Sequence, residues 1–164
     1  STEADKYWRI RRESFNLLRK HMAGKRTAPC IDDIIVNPAD LPVFLPKIIE
    51  ILDKTKCVYT IAGHVGDGNF HIIPLLDMKL DSSRDFVINV SRQVYDLVIG
   101  LGGSITAEHN DGIMRTPFLE QMYGSEVIRL FEQTKYAFDP NTLFNPGKKV
   151  GGSFADVENY LITE

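Results

Sequence analysis

The chain has 164 residues, which is enough for one domain with a hydrophobic core and too few for two domains of ordinary size. Its 19 basic and 22 acidic side chains give a net charge of −3, so the charge offers no reason to expect binding to nucleic acids or to anionic membranes. The sequence shows no apolar run of the roughly 20 residues that a membrane span requires, and no signal peptide.

The first half of the chain predicts a helix, a strand and a second helix. Residues 5–22 have a helical pattern that places four large side chains near one face: Trp8, Phe15, Leu18 and Met22. Residues 33–36 form a β-branched strand that ends at Asn37-Pro38. Apolar residues then recur at steps of three and four from Leu41 to Leu52, which predicts an amphipathic helix.

The second half predicts a hairpin and two further helices. Strands at 57–62 and 70–76 flank Asp67-Gly68, a turn pair that tolerates positive φ, so we expect them to pair antiparallel. Three elements follow: a helix at 86–101, a short strand at 104–107 and a helix at 126–138. This order predicts an α+β fold over a single domain, residues 1–164. We expect a ferredoxin-like arrangement, a small and mostly antiparallel sheet with helices packed on one face.

Histidines and a carboxylate near glycine-rich turns are the most informative feature of the sequence. His64 and His71 bracket the turn of the predicted hairpin, and a distant glycine-flanked segment carries Glu108 and His109. Two imidazoles and one carboxylate would make a three-ligand metal site with an open position, as a catalytic metal requires. His109 would then adjoin the metal and could serve as a base. Asp67 or Asn69 could hold one of the imidazoles by a hydrogen bond.

A purely structural interpretation of the same residues is also open. Two histidines beside a glycine turn could cap the hairpin and bond its carbonyl groups, with no metal involved. The residues alone leave both interpretations standing.

Three segments of the sequence resemble the C-terminal domain of the FAD-linked oxidases. This flavoprotein family includes D-lactate, D-2-hydroxyglutarate and glycolate dehydrogenases. Residues 63–71 are close to that family's GHxGDGNxH segment, and residues 107–112 are similar to its GEHG segment. Residues 138–148 are similar to its terminal DPxxxxNPGK segment. Order and spacing agree, and the likeness runs over nearly the whole chain. Details at 33–36 and 114–115 look closest to members fused to, or partnered with, iron–sulfur oxidoreductase modules.

The resemblance implies a role for each matching position. His64, His71 and Glu108 stand where family members bind a divalent metal, with zinc foremost and manganese or iron as alternatives. His109 stands at the general base, and Asn145 where the chain lines the flavin. The candidates for substrate binding are Asn69, Arg115 and the N-terminal Arg11 or Arg12. The arginines are candidates because a guanidinium fork fits a carboxylate. For the arginines, a solvated helix face is the alternative.

The implied reaction is the oxidation of a 2-hydroxy acid to a 2-oxo acid by hydride transfer to FAD. The phosphate-binding module for FAD belongs to an N-terminal domain that this chain lacks, so we expect the isolated chain to be inactive. Its exposed docking face could also support a homodimer. Because the chain begins with Ser1 rather than Met, we expect a piece of a longer protein. Cys30 and Cys57 form no Cys-x-x-Cys pair, which favours a reduced, cytoplasmic protein.

Three positions depart from the family pattern. Asn110 stands where glycine usually follows Glu-His, Ile73 where some members carry a polar substrate contact, and Ile31 where some carry a lysine. The side chain of Asn110 would enter space usually left to substrate or flavin, so it bears on the shape of the substrate. Ile73 and Ile31 make a simple dicarboxylate substrate less favoured. Two other classes of function stay open: an independent metal-dependent hydrolase with His109 as base, and a non-catalytic interaction module.

Overall fold

A computed structural model describes residues 2–21, 25–28 and 30–161. Seven helices and four strands are described there. The helices are α1 (Thr2–His21), α2 (Leu41–Lys54), α3 (Asp81–Gly100), α4 (Gly112–Arg115), α5 (Leu119–Tyr123), α6 (Ser125–Phe138) and α7 (Phe154–Tyr160). The strands are β1 (Arg26–Thr27), β2 (Ile31–Ile35), β3 (Val58–Ala62) and β4 (Asn69–Leu76).

The central strand of the antiparallel sheet is β4. Both β2 and β3 pair with Ile72, so they must lie on opposite edges of β4. The short β1 continues the β2 edge and pairs with Leu75 and Leu76. Pro74 can be accommodated in this central strand because it faces the break between β1 and β2, where its carbonyl accepts the N–H of Ala28.

The hydrophobic core lies between one face of this sheet and helices α2 and α3. Side chains at alternate positions of β4 point into it, with Phe70 against Phe44 of α2 at a ring-centroid distance of 5.4 Å. Helix α2 buries Phe44, Ile48 and Leu52 of the predicted apolar stripe and leaves Ile49 exposed. The expected α+β, ferredoxin-like class with helices on one face of a small antiparallel sheet is confirmed.

The predicted strand at 104–107 is wrong. Only Ser104 pairs with the sheet, through two backbone hydrogen bonds to Ile35 of 2.8 and 2.9 Å. Beyond Ser104, the main-chain N–H groups of Ala107, Glu108 and His109 donate to a side-chain carboxylate instead of a neighbouring strand. The segment is therefore a loop, held by a side chain.

The other predicted helices and strands occur at about the expected positions in the chain, but their ends differ from the prediction. The first helix is α1, but the side chains of Phe15, Leu18 and Met22 lie outside the described residues, and Trp8 is exposed. Helix α7 is absent from the sequence prediction, although Ser153 and Asp156 form a reciprocal capping box at its start.

The described parts of the chain contain no helix with the length and apolarity needed to cross a bilayer. Both cysteines are free thiols. Burial raises the pKa of Cys30 to about 12, so this thiol is an inert part of the core.

Candidate functional site

The β3–β4 hairpin brings His64 and His71 to one place. His71 pairs with Ala62 in the strand register and points to the face opposite Phe70, away from α2 and α3. The intervening loop closes with a 3₁₀ turn and with Gly68 at φ +76°, where a Cβ would collide with the carbonyl oxygen of Val36. The centroids of the two imidazole rings lie 6.4 Å apart.

The loop after α3 adds the predicted carboxylate and the third imidazole. Glu108 Oε1 lies 3.3 Å from His64 Nε2, and Glu108 Oε2 lies 3.7 Å from His109 Nε2. The ring centroids of His71 and His109 are 5.3 Å apart. The structure thus brings together all four residues that the sequence singles out for metal binding and base catalysis.

A tighter group within the described residues includes a carboxylate that the sequence did not single out. One ligand atom from each of Asp33, His71, Glu108 and His109 lies within 4.8 Å of the others. His64 joins this group through Glu108. We do not assign Asp33 as a ligand, since its oxygens are already occupied by main-chain donors.

Asp33 is a buried carboxylate that accepts hydrogen bonds from three consecutive backbone N–H groups. Ala107 donates at 3.0 Å, Glu108 at 3.0 Å and His109 at 2.8 Å. Burial alone would raise the pKa of Asp33. The donors of His109, Ala107 and Glu108, together with the Arg115 cation, outweigh burial and hold this pKa below its ordinary value. Asp33 therefore stays ionised and fixes the loop that carries Glu108 and His109.

Asp32, the preceding residue, holds His71. Its Oδ1 lies 2.8 Å from His71 Nδ1, and both side chains are largely shielded from solvent. Since Nδ1 is engaged with the carboxylate, Nε2 is the nitrogen left for a ligand, which is the arrangement common to metal-bound histidines.

The predicted substrate-binding residues lie in three different environments. Arg115 is buried, and its guanidinium donates to the carbonyl oxygens of Asn110 and of Asp32, the latter at 2.6 Å. Asn69 is buried as well, and its amide nitrogen donates to Asp33 at 3.3 Å. Arg11 lies on α1, with its guanidinium 5.7 Å from the centroid of the Trp8 ring.

Asn145, the predicted flavin contact, lies in the exposed segment after α6. It has a positive φ of 47°, and its carbonyl accepts the N–H of Lys148 at 3.2 Å. This turn is closed locally, and it displays Leu143 and Phe144 to solvent.

Comparison with known proteins identifies the family. Residues 1–149 match the family model described as FAD linked oxidases, C-terminal domain. The chain belongs to this family.

Three curated relatives show how much of a longer protein this FAD-linked oxidase domain matches. The chain is 31% identical over 127 residues to the glycolate oxidase subunit GlcD of Bacillus subtilis (strain 168), covering 77% of the chain and 27% of that protein. It is 34% identical over 124 residues to D-2-hydroxyglutarate dehydrogenase of Stutzerimonas stutzeri (strain A1501), covering 73% and 27%. It is 27% identical over 143 residues to the mitochondrial D-lactate dehydrogenase [cytochrome] of Arabidopsis thaliana, covering 87% and 25%. The chain thus spans about a quarter of the length of these relatives.

Sequence reasoning missed Asp32 and Asp33 of this FAD-linked oxidase domain. A signal was available, since two adjacent carboxylates interrupt the apolar run of Ile31, Ile34 and Ile35. In a regular strand one of two adjacent residues must face the core, where an unpaired carboxylate is costly. Such a pair therefore indicates a local irregularity with partners from elsewhere in the chain.

Proposed function

We propose that this domain is the metal- and substrate-binding part of an FAD-dependent dehydrogenase that oxidises a 2-hydroxy acid to a 2-oxo acid. The observation that carries the proposal is the convergence of His64, His71, Glu108 and His109 at one point, on a chain of the FAD-linked oxidase family. The relatives are named for glycolate, D-2-hydroxyglutarate and D-lactate, which are all 2-hydroxy acids.

The donor set fits a divalent metal with an open position. His64 and His71 offer imidazole nitrogens and Glu108 offers a carboxylate, the combination found at catalytic zinc and also accepted by manganese and iron. The Asp32–His71 hydrogen bond supports this assignment, because it orients one nitrogen of His71 toward the cluster. A divalent ion held there would act as a Lewis acid toward the hydroxyl and carboxylate of the substrate.

His109 is the residue we assign as general base. Its side chain is 57% exposed, so a substrate can reach it, and its backbone is fixed by Asp33. A neutral imidazole at this position can accept the proton of the substrate hydroxyl while the hydride leaves the α-carbon for the flavin.

The remaining contacts complete the proposal. FAD would be held by a separate N-terminal domain, with Asn145 lining it. Asn69 is a proposed polar contact to the substrate, since its buried side-chain oxygen has no hydrogen-bond partner among the described residues. Arg11 and Arg115 are the proposed carboxylate contacts, although the internal bonds of Arg115 also make it a support of the site loop. An iron–sulfur partner module, a homodimer and a cytoplasmic location complete the expectations.

Anaerobic reduction of the flavin tests this function. The polypeptide that joins this domain to its FAD-binding region is mixed with D-lactate, glycolate or D-2-hydroxyglutarate, and the bleaching of flavin absorbance is followed. We expect His109→Gln to slow the bleaching about 10²–10⁴-fold, the usual contribution of a general base.

His21 supplies a matched control, because it is a histidine of α1 outside the hairpin and the site loop. His21→Gln should bleach at the wild-type rate. Equal rates for His109→Gln and wild type would contradict the assignment of the base. Turnover of an ester or amide by the domain without flavin would instead favour the hydrolase alternative.

A further inference from the structure

Strand β2 contains a β-bulge at the site. The pairing of β2 with β4 shifts register between Ile31 and Ile34, and Asp33 adopts a φ of +64°. Ile31 and Ile34 are both fully buried in the core, although residues three apart face opposite sides of a regular strand. The extra residue of the bulge resolves this conflict.

The bulge directs two adjacent carboxylates to two separate parts of the site. Asp32 reaches His71 on β4, at 2.8 Å. Asp33 reaches the backbone of the loop that carries Glu108 and His109, at 2.8–3.0 Å. In a regular strand, these neighbours would point to opposite faces, and one of them would enter the core.

The three N–H groups that converge on Asp33 form a concave anion site of the kind that binds phosphate in other proteins. Here the anion is a side chain of the same protein. Because the bonded groups belong to Glu108, to His109 and to the residue before them, the carboxylate sets the direction in which both functional side chains leave the backbone.

Arg115 ties the two parts together. Its guanidinium donates to the carbonyl of Asp32 at 2.6 Å and to the carbonyl of Asn110, and it lies 3.8 Å from Asp33 Oδ2. The cation is buried beside a buried anion, so the bulge and the loop are joined by a charge pair as well as by hydrogen bonds.

We propose that Asp33 and Asp32 are positioning residues of the metal centre: Asp33 places Glu108 and His109, and Asp32 orients His71. The inference rests on the proposed function for the metal, and it adds the part of the fold that assembles the site. Neither aspartate contacts the substrate or serves as a ligand in this scheme.

The test uses the 164-residue chain, Co²⁺ as the probe and Asp33→Asn as the first variant. Asparagine keeps the shape of aspartate and tolerates positive φ, so the substitution removes the carboxylate with little strain on the backbone. In the metal-free chain, we expect the amide protons of Ala107, Glu108 and His109 to exchange at least about tenfold faster in the variant. We expect Co²⁺ to bind about 10–100-fold more weakly, the usual effect of losing a supporting residue.

Asp32→Asn separates the two halves of the proposal. It should weaken Co²⁺ binding about tenfold or more and leave the three amides protected, since its partner is the His71 ring. At saturating Co²⁺, both variants should show altered visible absorption of the ion. A role in stability alone would not change this spectrum. Asp53→Asn is the matched control, because it removes a carboxylate whose partner is the Tyr59 hydroxyl, and it should match wild type in all three readouts.

Unchanged amide exchange in Asp33→Asn, or wild-type Co²⁺ affinity and spectrum in both variants, would overturn the inference. If the wild-type chain binds no Co²⁺, the metal centre of the proposed function fails. The amide exchange would then still decide whether Asp33 holds the loop.

Discussion

Asp33 and Asp139 use the same chemistry in two regions of the molecule. Each carboxylate accepts backbone N–H groups of a loop and lies near one cation: Asp33 holds residues 107–109 beside Arg115, and Asp139 holds residues 143–144 beside Lys135. The two differ in reach. Asp33 joins segments more than 70 residues apart, whereas Asp139 bonds groups four and five residues along the chain.

This difference assigns distinct roles to the two regions. The region around Asp33 gathers functional side chains from separate elements into one site. The region around Asp139 closes a local turn and displays Leu143, Phe144 and Asn145 on the surface. A salt bridge of 2.5 Å from Lys149 to Asp111 connects the end of the second region to the loop of the first. Since the functional side chains gather around Asp33 and not around Asp139, we expect substitutions in the exposed segment of the second region to leave metal binding unchanged.

The largest expected effect is on metal content. Glu108→Ala and His64→Ala each remove a proposed ligand, so zinc in the purified chain should fall from about one equivalent to near zero. Asn145→Ala, in the second region, should retain the full equivalent. Elemental analysis of the four proteins measures this, and metal retained in Glu108→Ala would contradict the three-ligand site.

The sequence predicted well those elements of the fold that depend on neighbouring residues. The hairpin follows from two predicted strands that flank Asp67-Gly68, the stripe of α2 follows from its periodicity, and Asp139-Pro140 correctly marks the end of α6. In each case the physical cause lies within a few residues. The convergence of His64, His71 and Glu108 followed from the hairpin together with the family resemblance.

The long-range parts could not be read from the sequence. Ile105 and Thr106 have strong strand propensity, and nothing nearby shows that the following N–H groups are bonded to Asp33. Arg115 looks like a surface cation on a short helix, yet it is buried between Asp32 and Asn110. Tertiary partners decide both outcomes. The adjacent carboxylates of Asp32 and Asp33 indicate that partners lie elsewhere in the chain, but no pattern of neighbours identifies those partners.

A second prediction compares the two aspartates directly by stability. Asp33→Ala leaves three loop N–H groups without their acceptor and Arg115 without its anion, so we expect the free energy of unfolding to fall by about 3 kcal/mol. Asp139→Ala should have a clearly smaller effect, because its loop is exposed and water can replace the lost acceptor. Urea denaturation of both variants measures this. Equal losses in the free energy of unfolding would show that the long-range hydrogen bonds of Asp33 stabilise the fold no more than the local ones of Asp139.

Two glycines with similar positive φ angles sharpen the comparison. Gly68 in the hairpin loop has φ +76° and faces the Val36 carbonyl, whereas Gly147 has φ +71° and its nearest neighbour in that direction is Gly152, at 4.0 Å. Alanine at either position is strained by the positive φ, which costs about 1 kcal/mol. Gly68→Ala should lose about 2 kcal/mol or more, because it adds a backbone collision. Thermal denaturation should rank the variants in this order, and the reverse order would mean that the hairpin loop can move away from β2.

The smallest expected effect concerns pH. The hydrogen bond from Lys135 Nζ and the N–H groups of Phe144 and Leu143 lower the pKa of Asp139 to about 2, from an ordinary value of 3.8. A carboxyl with a lowered pKa in the folded state contributes stability that is fully present above pH 3.8 and is lost as the pH falls toward 2. Asp139→Asn should therefore lower stability at pH 6 and lose less of it between pH 4 and pH 2 than wild type does. Denaturation by urea at several pH values follows this, and parallel profiles for the two proteins would show that the Lys135–Asp139 pair does not contribute to acid sensitivity. Asp33→Asn should also reduce the loss of stability as the pH falls below 3.8, since the pKa of Asp33 is lowered too. The double variant then tests whether the two regions respond to acid independently.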